Sequence, residues 1–316
     1  MKYLFIINPA AGKQNPMDVL GEDIRAACER SGLDYEIKLT EHQGHATEIA
    51  HKAAEAATAE NPVRVFSVGG DGTLCETANA LFGAEHCELG CIPCGSGNDF
   101  NKTFGTKEEF LDVEKYILCP SVAVDGITSQ HMNAINICSL GLDANICDHA
   151  NRIKENNKKL SGPKAYNKAV VKGLLGRIYN TLKITIDDDR VIEGKYLFSL
   201  AANGQYYGSG WRSAPVADPS DGQLDFIFIN KMTRLRALTV IPAYKSGKYF
   251  FKKKYKNILT HIRGKKIRIQ SVKPSVVNID GECAAINDIT FEVMPGALRF
   301  IVPQSYIDAR KNSEEK

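Results

Sequence analysis

Three short segments hold the residue types from which phosphate chemistry is built: Asn8-Pro9-Ala10-Ala11-Gly12-Lys13, Gly69-Gly70-Asp71-Gly72-Thr73 and Gly95-Ser96-Gly97-Asn98-Asp99-Phe100. Small residues let backbone N–H groups approach an anion, and a helix starting just after such a loop adds a favourable dipole. Alone each is a weak signal, since a glycine-rich strand end also serves as a plain turn, and Asp in Gly-Gly-Asp-Gly as a turn former or N-cap. The spacing matches neither Gly-x-x-x-x-Gly-Lys-Ser/Thr nor the Gly-x-Gly-x-x-Gly of a dinucleotide fold, which argues against an NAD-dependent oxidoreductase. Further carboxylates stand at Asp125, Asp218, Asp221 and in Asp280-Gly281-Glu282. Read singly, Asp221-Gly222 and Asp280-Gly281 are hairpin turns, the second with an exposed Glu282, and Asp125 is a strand-end residue.

The elements that must position these loops alternate. Lys2–Asn8, Tyr35–Thr40, Val63–Val68 and Leu89–Pro93 read as strands, and Met17–Ser31, Ala46–Ala59, Thr73–Leu81 and Lys107–Leu118 as helices. Each loop follows a strand, so a parallel sheet with helices on both faces would bring all three to its carboxyl edge. After about Ser121 the pattern changes. Val122–Ile127, Asn133–Leu140, Thr181–Ile186, Val191–Ala201, Leu224–Asn230, Lys266–Val272, Val276–Ile279 and Ile289–Val293 read as mainly antiparallel strands. Helical patches at about Ala144–Tyr179 and Thr233–Lys254 interrupt them, Leu298–Val302 is a last strand, and the charged tail from Asp308 reads as frayed. The fold class is therefore α/β: a doubly wound βα domain over residues 1–121, then a β-rich, sandwich-like domain over 122–296. Residues 297–316 are expected to pack back onto the first domain.

At 316 residues two domains are the natural division, and an apolar fraction of 43% with 24% charged residues is that of an ordinary folded protein. No stretch approaches the run of apolar residues a membrane-spanning helix needs, and the first apolar run is too short for a signal peptide, so a cytoplasmic protein is expected. The nine cysteines, odd in number and irregular in spacing, read as buried thiols rather than as a disulfide framework. Cys91-Ile92-Pro93-Cys94 lacks the two further ligands a zinc site would want.

Taken together and in this order, NPAAGK, GGDGTL and GSGNDF resemble the catalytic domain of the diacylglycerol kinase family, which includes sphingosine and ceramide kinases and soluble bacterial lipid kinases. The resemblance continues through Ala214-Pro215, the run Asp218 to Asp225, and Asn278 to Glu282, and so covers nearly the whole chain. A bare GGDGT loop would be shared with NAD kinases and 6-phosphofructokinases, so the implied first domain is NAD kinase/phosphofructokinase-like; the GSGNDF loop and the late Asp-Gly-Glu tilt the choice to lipid kinases.

The resemblance implies an ATP- and Mg²⁺-dependent enzyme that transfers the γ-phosphoryl group to the hydroxyl of a membrane lipid, diacylglycerol by default. It assigns ATP to Asn8, Pro9, Ala10, Ala11, Gly12, Lys13, Thr40, Gly69, Gly70, Asp71, Gly72, Thr73, Leu74, Cys75, Glu76, Gly95, Ser96, Gly97 and Asn98. Asp71 would hold the catalytic Mg²⁺ and Asp125 would support that network. Asp221, with the backbone carbonyls of Asp218 and Gln223, would form a structural Mg²⁺ site, and Glu282 would be the catalytic base, facing the nucleotide across a cleft. Two residues depart from the pattern: Ala11 stands where relatives often carry Ser, and Cys75 where Asn is common. Asp143, in Gly141-Leu142-Asp143-Ala144, fits a family signature without a mechanism, and Asp99 reads as a helix cap. Tyr206, Tyr207 and Trp211 either line the lipid pocket or belong to the core.

Charge is unevenly spread. Net charge is +3, yet the span Lys231–Ile279 holds 14 Lys or Arg and no acid, which leaves the remainder of the chain at −11. Lys245, Lys248, Lys252, Lys253, Lys254 and Lys256 interleave with Tyr244, Tyr249, Phe250, Phe251 and Tyr255. Such a mixture suits nucleic acid, an anionic bilayer or simply a solvated helix face; a kinase acting on a lipid favours the bilayer, with no nucleic acid partner. A homodimer is left open. The competing readings are a kinase for a soluble acceptor, sharing GGDGT, and a non-catalytic lipid- or nucleic-acid-binding protein on the same scaffold.

Overall fold

A computed structural model describes residues 1–156, 168–170, 172–173, 176 and 178–314. The chain divides into two compact units, Met1–Asp125 with Gly296–Lys316, and Gly126–Pro295.

In the first unit β1 (Lys2–Ile7), β2 (Asp34–Leu39), β3 (Val63–Gly69) and β4 (Cys87–Pro93) alternate with α1 (Pro16–Arg30), α2 (His45–Ala56) and α3 (Asp71–Leu81). All pairings are parallel, in the order β2-β1-β3-β4. The chain leaves β1 toward one edge and returns to β3 on the other side, so the topological switch point lies between β1 and β3. β1 owes its place to Leu4–Ile7, a run buried on both faces as a central parallel strand requires. α1 starts where it does because the Asn15 side chain accepts the Met17 N–H at 3.0 Å and Pro16 occupies the first turn. The expected helix over 107–118 is two short ones, α4 (Lys107–Leu111) and α5 (Val113–Tyr116), because Asp112 leaves helical geometry at ψ 74°.

The core of this unit stacks Phe5 on Phe66 at 5.0 Å and sets Tyr116 edge-on to Phe66 at 5.9 Å. Gly90 makes room, since a Cβ there would lie 2.6 Å from the Phe66 ring. The buried Tyr116 hydroxyl accepts the Cys91 N–H and donates to the Ile301 carbonyl, both at 3.0 Å, and so ties the last strand to this sheet.

The second unit is β-rich and antiparallel. β5 (Ser121–Ser129) leads into it and is followed by β6 (Ile137–Gly141), α6 (Leu142–Asn156), β7 (Asn180–Ile186), β8 (Arg190–Ala202) and β9 (Leu224–Asn230). Then come α7 (Arg234–Lys245), α8 (Lys248–Phe251), β10 (Leu259–Gly264), β11 (Lys266–Ile279) and β12 (Glu282–Ile301). β7 and β6 lie end to end between the long strands β8 and β11. β9 is buried on both faces: Leu224, Phe226 and Phe228 join an inter-strand core with Ile184, Ile267 and Phe291, whereas Ile227 and Ile229 pack with Leu142, Ile146, Val240 and Tyr244.

Several sequence expectations change here. Lys266–Val272 and Val276–Ile279 are one strand with a bulge between Gln270 and Ser275, and the two C-terminal strands are one, β12. Its end pairs parallel with β4 through Arg299 and Phe300 in the first unit. β10 was hidden in the basic block, and the helical patch there is broken at Gly247, φ 72°. The second half of the other patch, residues 157–167, 171, 174–175 and 177, lies outside the described residues. The charged tail is a helix, Gln304–Glu314, rather than frayed chain; Phe104 packs edge-on against its Tyr306 at 5.1 Å.

Candidate active site

The three glycine loops interlock at the carboxyl ends of β1, β3 and β4. Asn8, just past β1, donates from Nδ2 to Thr73 Oγ1 at 3.1 Å and accepts the Ala10 N–H at 3.0 Å, which folds the first loop over the start of α3. Gly12 takes φ 78°, and a Cβ there would lie 2.5 Å from the Cys94 carbonyl oxygen, so only glycine lets this loop close on the third. Asn98, itself at φ 49°, accepts the Gly95 N–H at 2.9 Å and donates to the Gly69 carbonyl at 3.0 Å, sewing the third loop to the second.

Asp71 sits at the centre of this arrangement. As the first residue of α3 it accepts the Asn98 N–H on Oδ2 at 2.8 Å and the Asp99 N–H on Oδ1 at 2.7 Å. Gly97 crosses so closely that a Cβ would stand 2.2 Å from Asp71 Oδ2. Burial, with the nearby charge of Asp99, raises the Asp71 pKa above the usual carboxylate range despite those two N–H donors. A carboxylate is the oxygen donor that Mg²⁺ takes, and this one is fixed by two backbone amides beside the three loops, so Asp71 is the residue there that would hold the ion. Asp99 is buried and pairs with Lys102 at 2.6 Å.

The remaining first-unit candidates surround this centre to different degrees. Thr40 N–H bonds the Ile7 carbonyl at 2.9 Å, which places it beside the first loop. Thr73, Leu74 and Cys75 are buried in the first turn of α3; Glu76 is half-buried, and its carbonyl accepts from Thr47 at 3.1 Å. Gly72, Lys13 and Ser96 are exposed. Asp125 is buried and accepts the Gly296 N–H at 2.8 Å.

The second unit holds the other candidates. Glu282 opens β12 opposite Ile279, exposed, at the far side of a two-residue hairpin with positive φ at both Asp280 and Gly281. The Asp280 carboxylate fixes that hairpin by accepting the N–H groups of Ile135, Asn136 and Ile137 at 2.6 to 3.2 Å. The expected Mg²⁺ site at Asp218, Asp221 and Gln223 has a different neighbour: Arg263 bonds Asp221 Oδ2, while Oδ1 accepts the Gln223 N–H at 3.0 Å. The Asp221 carboxylate is thus already engaged by a guanidinium and a backbone N–H, which leaves it less free charge for a cation than the expected site, with the carbonyls of Asp218 and Gln223, would want.

A feature with no mechanism in the sequence emerges between α6, α7, β8 and β9. An apolar cavity of about 570 Å³, its open mouth included, is lined by Leu142 and Ile146, Leu197 and Phe198, Tyr207, Trp211, Ile229, and Ala237, Val240, Ile241 and Tyr244. Its polar group is Asp143, which accepts from the Tyr207 hydroxyl at 3.0 Å; that hydroxyl lies 3.2 Å from the Tyr244 hydroxyl. Trp211 and Tyr207 thus line the cavity, and Tyr206 is not among its lining residues. The cavity draws its walls from six stretches of chain, Val170 being one of them, which is why local sequence reading missed it.

Burial raises the Asp143 pKa from 3.8 to about 6, with the hydroxyls of Ser139 and Tyr207 opposing the shift. A carboxyl group with a raised native pKa binds more protons folded than unfolded, so its effect is a loss of stability as pH rises from about 4 through about 6. The loss is on the order of 3 kcal/mol, complete above that window. Asp143→Asn keeps an acceptor for Tyr207 and removes the titration. The melting temperature of the variant relative to wild type is therefore expected to climb between pH 4 and pH 7; a constant gap would show that Asp143 does not titrate there.

The comparisons with known proteins agree with this layout. The model of the diacylglycerol kinase catalytic domain matches residues 2–140, and that of the YegS C-terminal NAD kinase beta sandwich-like domain matches residues 136–302. A Staphylococcus aureus (strain JH9) protein named "Putative lipid kinase" is 27% identical over 267 residues, 84% of this chain and 85% of the relative. A crystal structure of a diacylglycerol kinase from Bacillus anthracis str. Sterne superposes with a TM-score of 0.70 at 25% identity, covering 96% of this chain and 98% of that one. An NAD kinase from Archaeoglobus fulgidus, solved in complex with ATP, shares the fold with a TM-score of 0.54 at 15% identity, covering 99% of this chain and 98% of that one.

Proposed function

The chain belongs to the diacylglycerol kinase catalytic-domain family, and from that premise we propose that it moves the γ-phosphoryl group of ATP to the hydroxyl of an acyl-chain lipid, diacylglycerol first among the acceptors. That it is a kinase, a phosphotransferase, follows from the family. The lipid acceptor is supported chiefly by one observation, the apolar cavity whose polar group is Asp143 hydrogen-bonded to Tyr207. A soluble sugar or nucleotide acceptor would want several free, convergent hydrogen-bonding groups, whereas this lining is mostly hydrocarbon and its Asp143, Tyr207 and Tyr244 oxygens are engaged with one another.

In this reading the first unit binds nucleotide. Backbone amides of the three loops and the start of α3 receive the phosphates at the switch point between β1 and β3. Asp71 would hold Mg²⁺, and the ion would supply neutralisation of phosphate oxygen charge. Lys13, exposed in the first loop, adds positive charge beside the phosphates. Glu282 accepts the proton of the attacking hydroxyl as the new P–O bond forms. Asp125 keeps its place by the bond from Gly296 and supports the Asp71 region.

The test is a panel of acceptors incubated with radiolabelled ATP and Mg²⁺, lipids in mixed micelles and NAD in solution, with products separated by chromatography. Label is expected on an acyl-chain lipid. Label on NAD with every lipid blank would overturn the lipid assignment and leave a nucleotide kinase on the same scaffold.

A further inference from the structure

α7 carries apolar side chains on both of its faces, and among the described residues one face packs on the cavity while the other is exposed. Ala237, Val240, Ile241 and Tyr244, at helical spacing, form a wall of the cavity. On the opposite side Leu235 is 78% exposed and Leu238 50%, and Phe251, at the end of the next helix, α8, is 63% exposed. Large apolar side chains left so open in one short stretch point to a partner that takes them out of water.

The charges around them name its kind. Arg236, Lys248, Lys252, Lys253, Lys254 and Lys256 are exposed on the same α7–α8 stretch, and no acidic residue occurs between Asp225 and Asp280. The rest of the basic block is different: Arg263 pairs with Asp221, Lys266 with Asp188 at 2.9 Å and Arg268 with Asp288 at 2.6 Å. Three cations of the second half of the block are thus held in ion pairs, which leaves the first half as its most continuous run of exposed cations. Asp225, the flanking acid, is buried and bonded to His261 at 2.5 Å.

We infer that the outward face of α7, with α8 and the Lys252–Lys254 turn, docks on an anionic lipid surface, the leucines and Phe251 entering the acyl boundary and the cations meeting headgroups. The inference rests on the lipid-kinase reading and deepens it: the helix that enters the leaflet is also a wall of the cavity proposed for the acceptor. Nucleic acid fits less well, because single-strand binders stack successive bases on rings, and two of the three exposed apolar side chains here, Leu235 and Leu238, are aliphatic.

The full chain, without ATP, is sedimented with vesicles of phosphatidylcholine alone and with equal parts phosphatidylcholine and phosphatidylglycerol. Wild type is expected to pellet with the anionic vesicles and to stay in solution with the neutral ones. The variant Lys252→Gln/Lys253→Gln/Lys254→Gln should bind on the order of 100-fold more weakly, as three lost cations at a charged leaflet imply. Leu235→Gln/Leu238→Gln/Phe251→Gln should lose binding to a similar degree, and because all six positions are exposed both variants should melt as wild type does. Wild type left in the supernatant, or either variant pelleting as wild type does, would overturn the inference. So would binding that an RNA oligomer abolishes and the leucine variant retains. The measurement needs no turnover: an enzyme inactive on lipids that still pellets would sink the kinase reading alone, whereas activity in micelles without vesicle binding would sink the docking alone.

Discussion

Glu282→Gln is expected to lower phosphorylation of the lipid acceptor by about 10²–10⁴-fold, the range for loss of a general base, with nucleotide binding and melting temperature near wild type. Positive φ at Asp280 and Gly281 reverses the chain in two residues, and three backbone N–H groups clamp the Asp280 carboxylate, so the side chain at position 282 is presented from a fixed backbone. Glu282 is exposed, which leaves its carboxylate in solvent and costs the fold little when the charge is removed. Gln matches its size and hydrogen-bonding reach but cannot take a proton from an alcohol. Near-normal turnover of this variant would remove Glu282 from the mechanism while leaving the nucleotide site standing.

Asp71→Asn is expected to cost about 10²–10³-fold in activity, comparable with removing one preorganised electrostatic group from an active site, and to weaken ATP binding in the presence of Mg²⁺. Two features produce the effect. The carboxylate supplies the charge that would hold the cation, and its two oxygens organise the Asn98 and Asp99 amides. Gly97→Ala separates them: it leaves the charge untouched but sets a Cβ 2.2 Å from Asp71 Oδ2, so the carboxylate or the loop must move. Titration calorimetry with ATP and Mg²⁺ should register weaker binding in both variants. Wild-type affinity in Asp71→Asn would exclude a metal role, and wild-type affinity in Gly97→Ala would show that the placement of the carboxylate is not what matters.

Much of the nucleotide half was legible because its signals are local. Strand ends that finish in Asn-Pro, Gly-Gly and Pro-Cys-Gly declare loops, and a parallel sheet puts such loops on one edge without further information. The bonds that make them a site, Asn8 to Thr73 and Asn98 to Gly69, join residues far apart in sequence and were not readable. The second unit was harder. β10 lies in a stretch that composition marks as a basic block, and only its pairing with β9, Leu259 opposite Ile229 through Gly264 opposite Leu224, makes it a strand. Asp221 carried the resemblance to a metal ligand, yet the partner that meets it is Arg263, 42 residues on. Asp143 could be given no role until folding set it beside Tyr207 and the cavity. The tail misled because charge alone reads as solvent-seeking, whereas Phe104 offers Tyr306 an edge-on contact that orders the C-terminal helix.

The central claim is that amides and Asp71 of the first unit and Glu282 of the second serve one transfer from ATP to a lipid hydroxyl. Its most direct test measures ADP released and lipid phosphate formed in the same reaction, with mixed micelles of diacylglycerol and with empty micelles. The account predicts equal amounts of the two products when lipid is present and almost no ADP when it is absent. ADP accumulating at the same rate with or without lipid, and no phosphate recovered on the acceptor, would contradict it.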